Sequence, residues 1–151
     1  MSYDFFVAKL RCAFCGKSSA LDTSTNMQTY LRDDADMSAL KVGDPLPLDL
    51  ERIRRQDYDG YLTVTAPDVN EPIRILQTWG CPSCGAQANW AEIVVRGGLI
   101  ESIRPTVFDR FQFENAALVS NDAISVAASL TGKPFSELVK LDVVQLLRAT
   151  L

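Results

Sequence analysis

Two short stretches, RCAFCGKSS at residues 11–19 and GCPSCGAQANW at residues 80–90, hold all four cysteines of this 151-residue chain. In each, two cysteines stand two residues apart and are followed at once by glycine. The pattern constrains the fold more than any other feature. If the four thiols act together, two segments must meet although 65 residues separate Cys15 from Cys81.

Two intervening residues let both thiolates of a knuckle turn toward one ion. Four thiolates complete a tetrahedral zinc shell and leave no open position. Gly16 and Gly85 permit the tight turn that brings backbone N–H groups toward sulfur. Pro82 pre-sets the second turn. The spacing therefore predicts one structural Zn2+ per chain, held by Cys12, Cys15, Cys81 and Cys84. A site of this kind contributes about 10–16 kcal/mol of apparent binding energy to folding. Iron on the same ligands and a catalytic dithiol are the competing chemistries. A redox CxxC usually opens a helix in a βαβ unit, whereas Cys84 is soon followed by ANWAEIVV, which reads as a strand.

The runs Cys12-Ala13-Phe14-Cys15-Gly16 and Cys81-Pro82-Ser83-Cys84-Gly85 resemble the zinc-ribbon family and its rubredoxin-like relatives. The resemblance implies two knuckles on two β-hairpins and covers roughly a third of the chain. Knuckles in that family are usually about 15–20 residues apart, so the 65-residue separation implies a long insertion.

The rest of the chain reads as α+β: a zinc-ribbon-like antiparallel β-sheet with a long insertion between the knuckles and C-terminal α-helices. Strands are predicted at residues 3–11, 60–66, 73–79, 88–96 and 99–108, with zinc pinning one end of the sheet. Gly97 and Gly98 form the strongest hairpin signal, because both central residues of the favoured turn need positive φ. After residue 109 the apolar period becomes helical: Phe113, Ala116, Ala117, Ala123, Ile124, Ala127, Ala128 and Leu130 recur at helical spacing. Ser120, Asn121 and Asp122 suit a helix start, Gly132 a stop, and Pro134 a further start. Phe135, Leu138, Val139, Leu146 and Leu147 would then share one face, buried in the core or in a homodimer. The organisation expected is a ribbon-like β domain over residues 1–108, carrying an irregular acidic insertion at about 18–58, and a helical segment over 109–151.

That insertion holds eight acids and four bases between residues 33 and 59, a mixture typical of a solvated face or a partner-binding loop. Asp33, Asp34 and Asp36 lack the glycine and distal glutamate of a calcium loop.

Composition narrows the function classes. Hydrophobic residues make up 47%, enough for a core. There is no histidine, which excludes Ser–His–Asp, Cys–His and His–metal chemistry. No P-loop or GxGxxG is present, so catalysis is disfavoured. The formal charge of −4 runs against duplex binding, which needs a concentrated basic surface. Lys9, Arg11 and Lys17 around the first knuckle, with Trp79 and Trp90 as stacking platforms, would be the local exception. The competing role for the tryptophans is to cover the metal site. No charged residue lies between 80 and 89, a surface better suited to protein than to phosphate. The N-terminus MSYDFFVAKLRC has no basic n-region before an apolar run, and no window suits a membrane span. The expectation is a cytoplasmic, zinc-stabilised protein that works through protein contacts as an accessory, inhibitor or immunity-type factor. A nucleic-acid-binding or transcription-associated regulator is the alternative, and a thiol redox enzyme the third reading.

Overall fold

The computed structural model describes residues 2–21 and 25–151. Residues 22–24 of the expected insertion lie outside the described residues. The chain is α+β, with two mixed sheets and five short helices among the described residues. Among the described residues no helix is long and apolar enough to cross a membrane.

The larger sheet contains β4 (Tyr61–Thr63), β5 (Ile73–Trp79), β6 (Asn89–Arg96), β7 (Leu99–Thr106) and β8 (Leu118–Ser120), in the order β4-β8-β5-β6-β7. Its centre is the antiparallel meander β5-β6-β7. These segments are rich in branched and aromatic residues that pack on a pleated surface. Gly97 and Gly98 adopt φ of 60° and 77° and make the two-residue turn between β6 and β7 as expected. The β5–β6 register runs from Ile73 opposite Val95 to Trp79 opposite Asn89. The loop closing that hairpin is the second cysteine knuckle.

Each face of this sheet has its own core. Ile75, Trp79, Ala91, Ile93 and Leu118 pack with Phe6, Leu10, Met27 and Leu46 from the N-terminal part of the chain. Leu76, Trp90 and Val119 pack with Phe113, Ala127, Leu138 and Leu147 from the C-terminal part. Alternating strand side chains thus feed two apolar layers, and the sheet is the middle layer.

The N-terminal strand does not join this sheet. It is β1 (Asp4–Phe6), and it pairs antiparallel with β2 (Gln28–Thr29) and parallel with β3 (Ala39–Leu40) in a second, three-stranded sheet. Phe6, Ala8 and Leu10 are thereby laid on the face of the large sheet rather than along its edge. The segment expected to be irregular also contains α1 (Leu50–Arg54), capped by the Asp49 carboxylate accepting from the Glu51 N–H. Many of its charges pair internally: Arg52 with Asp33 and Asp57, and Arg32 with Asp36.

The C-terminal tail departs from a purely helical reading. Helix α2 (Arg110–Asn115) ends at Ala116, whose ψ of 146° is extended. Leu118, Val119 and Ser120 then enter the large sheet as β8, parallel to β5 and antiparallel to β4. All three residues are buried, and a strand buried on both faces reads as a continuous apolar run that sequence period alone does not separate from helix. Helix α3 (Ala123–Thr131) stops at Gly132, whose φ of 71° is the left-handed cap expected of it. The final stripe is split between α4 (Phe135–Leu138) and α5 (Val143–Thr150). Asp142 starts α5 by accepting from the Gln145 N–H, which breaks the helix the stripe implied. Leu138 and Leu147 are buried, whereas Phe135 and Val139 are exposed.

Candidate metal centre

The two knuckles are built alike. In the first, the Gly16 N–H donates to Cys12 O (3.0 Å) and the Cys12 N–H to Lys17 O (2.9 Å). In the second, the Gly85 N–H donates to Cys81 O (2.9 Å) and the Cys81 N–H to Ala86 O (2.8 Å). Gly16 and Gly85 have φ of 75° and 78°, a conformation that favours glycine. The second knuckle crowns the long β5–β6 hairpin. The first stands on a shorter one, where Arg11 bridges Ser18 and the Ser19 N–H donates to Leu10 O (2.8 Å).

Folding brings the knuckles face to face. The four Sγ atoms lie within 4.8 Å of one another, and none is in a disulfide. Cys12 Sγ is 3.7 Å from Cys84 Sγ, and Cys15 Sγ is 3.7 Å from Cys81 Sγ. A metal–sulfur bond of about 2.3 Å sets the edges of a tetrahedron at about 3.8 Å. The spacing of these thiols fits a tetrahedral ion, and their donor set suits a soft or borderline metal. Among the described residues no other group of cysteines and carboxylates is arranged to hold one. Asp33 and Asp36 are instead engaged by Arg52 and Arg32.

Cys12 and Cys81 are buried, and Cys15 and Cys84 are exposed. Burial pushes the Cys12 thiol up. The backbone of Cys15, the Asn89 amide and the Phe14 N–H outweigh it and bring Cys12 down to about 6. The backbone N–H of Cys84 is the main influence lowering Cys81, against the effect of its burial. At Cys84 the Ala86 backbone lowers the thiol, but partial desolvation of the sulfur and the three neighbouring sulfurs prevail and push it up to about 11. Four sulfurs this close cannot all carry charge cheaply without a cation among them.

Asn89 is the functional residue that the spacing argument missed. It is buried, its Nδ2 donates to Cys12 Sγ (3.4 Å), and its Oδ1 accepts from the Ala13 N–H (3.0 Å). It belongs to the second hairpin and binds the first knuckle. Its one sequence signal is its place at the foot of β6, five residues after Cys84, which alone does not separate it from any turn asparagine.

The tryptophans divide their roles. Trp79 shares the core cluster of Cys12 and Cys81, and its Nε1–H donates to Trp90 O (3.2 Å). Trp90 turns to the helical side and packs on Phe108, with ring centroids 4.5 Å apart. Both are buried, so neither presents a free ring face. Lys9, Arg11 and Lys17 are exposed, as is Phe14 at the tip of the first knuckle.

Comparison with protein-family models, curated proteins and solved structures finds no match to this chain.

Proposed function

We propose that the chain is a zinc-ribbon-like binding protein in which one structural Zn2+ ties the two knuckles together and the activity lies in contacts with another protein. The observation that carries this is the closure of the four-sulfur cluster. Four thiolate ligands leave the ion no vacant position for a substrate, and no histidine is present to serve as a base. The ion would neutralise the crowded sulfurs, and its binding would release thiol protons and drive folding. The chain's own residues hold the sulfurs in place: the knuckle glycines set the turns and Asn89 locks one knuckle to the other.

Support for protein contacts comes from the surface. Leu130, Phe135, Val139 and Leu141 are exposed at the C-terminal helices. The acidic insertion is less available as a contact surface than its composition implies, since several of its charges pair internally.

Elemental analysis with thiol titration before and after chelation tests the metal. One zinc per chain with shielded thiols is the expected result; no metal and two freely reactive thiol pairs would move the reading to redox chemistry. Photo-crosslinking from position 135 in the native host tests the contact, and absence of any cross-linked protein counts against it.

A nucleic-acid-binding reading draws on one observation, the exposed Phe14 with Arg11 and Lys17 nearby in the first knuckle. Its test is an electrophoretic shift at low salt that disappears as salt is raised.

A further inference from the structure

A cleft of about 700 Å³ opens beside the metal centre, between residues 26–30, the end of β5 and the start of α3. Its size is that of a ligand site. No lysine or arginine lines it, whereas Asp59 and Asp122 both do. A phosphate or other anion would find no counter-charge there.

Three features show a built site rather than a gap between sheets. Gln77 lines the cleft from β5 and is only 6% exposed. The buried Tyr61 hydroxyl lies 2.6 Å from Gln77 Oε1 and 2.8 Å from Thr29 Oγ1. A phenol has one proton and an amide oxygen only accepts, so Tyr61 donates to Gln77 and the Thr29 hydroxyl supplies the second hydrogen bond. This relay fixes the amide and leaves Gln77 Nε2 as a donor with no partner among the described residues. Asp122 is held through Oδ2 by the hydroxyls of Thr78 and Ser120, leaving Oδ1 with no partner among the described residues. The loop carrying Asp59 is tied to the segment carrying Asp122 by the Asn121 N–H donating to Gly60 O (2.9 Å). Asp59 makes no ion pair or hydrogen bond through its side chain among the described residues.

The site therefore offers one fixed donor and two carboxylate acceptors. Its complement is a cation rich in donors, joined to a carbonyl. We propose that this cleft binds an arginine-bearing peptide segment, with the guanidinium at Asp59 and Asp122 and a neighbouring peptide carbonyl accepting from Gln77 Nε2. Arginine suits the pair better than lysine because its planar fork serves two carboxylate oxygens at once. The inference rests on the protein-binding reading above and names the chemistry of the partner.

The test is titration of the metal-loaded chain with acetyl-Gly-Arg-Gly-amide, followed by amide NMR, beside the same peptide with citrulline in place of arginine. The expected result is saturable shifts confined to residues around 59–61, 77–80 and 120–126. Citrulline, or the D59N/D122N variant, should weaken binding about tenfold, as loss of two partly exposed charge pairs implies. D59N alone, in an exposed loop, provides the same readout in smaller measure if D122N disturbs α3. Absence of saturable shifts, equal binding of the citrulline peptide, or unchanged affinity in D59N and the double variant would each overturn the proposal. A null titration beside a protein partner cross-linked through the C-terminal face would sink the cleft and leave the protein-binding reading standing. Peptide binding without any partner cross-linked from position 135 would keep the cleft and remove the C-terminal face as the contact surface.

Discussion

Asn89 and Cys12 stand 77 positions apart in the chain, yet the Asn89 amide nitrogen donates to the Cys12 sulfur at 3.4 Å. The same side chain accepts from the Ala13 N–H at 3.0 Å. One buried amide thus holds a sulfur of the cluster and the backbone beside it, and joins the hairpin it belongs to with the knuckle it does not.

Replacing Asn89 with leucine should loosen the centre without removing a ligand. The half-buried hydrogen bond from the Ala13 N–H is lost, at a cost of about 0.5–1.5 kcal/mol. Loss of a partner behind a ligand typically lowers metal affinity by about 10–100-fold. Competition with a chromophoric chelator measures the affinity and thermal melting the stability; unchanged values for both would show that the amide is incidental.

Protons and metal compete for the sulfurs, and the sign of the effect follows from the thiols. Cys12, brought down to about 6, is ready to bind near neutrality, whereas Cys84, raised to about 11, gives up its proton only to the ion. Apparent metal affinity should therefore fall as pH falls, and more steeply below about 6, where Cys12 also becomes protonated. Chelator competition at stepped pH checks this. An affinity indifferent to pH would exclude thiolate ligation.

Asp4 is fully buried, and both of its carboxylate oxygens accept from Arg32, at 2.7 and 2.6 Å. Arg32 is the main influence holding the Asp4 carboxyl below its usual range, against the opposing effect of burial. A lowered folded-state pKa stabilises the fold above the unfolded carboxylate value, about 3.9, and that contribution is lost as pH falls through the lower folded value. D4N should cost about 3 kcal/mol near neutrality, as breaking a buried pair does, and the gap from the parent should close as pH drops below about 4. Urea melts at two pH values read this directly, and a gap that stays constant would contradict it.

The split of the C-terminal stripe separates two leucine-like positions that sequence treats as equivalent. L147A should cost about 2–5 kcal/mol, because Leu147 is fully buried in the core on the helical side of the sheet. F135A should change stability by no more than about 0.5 kcal/mol, because Phe135 is 59% exposed. Equal losses at both sites would mean that residues 135–147 form the single helix the periodicity suggested.

What could be read in the sequence was local. Strands β5, β6 and β7, the Gly97 and Gly98 turn and the Gly132 stop each rest on residues whose backbone preference acts within a few positions. The cysteine spacing named the four residues that meet, because a CxxCG turn aims two sulfurs the same way wherever it occurs. Residues 118–120 were hidden because a short run buried on both faces has no period to distinguish strand from helix. Asn89 and the Asp4–Arg32 pair were hidden because a polar residue acquires such a role only from a partner far along the chain.

By itself, then, the sequence determined the α+β class, the meander and the identity of the sulfur cluster, all consequences of short-range geometry and residue type. The tertiary structure alone decided that β1 lies across the sheet rather than at its edge, that β8 runs parallel to β5, and that the cleft beside the sulfur cluster is acidic. Those outcomes depend on which apolar faces cover one another, and burial is a property of pairs of segments that no single segment encodes.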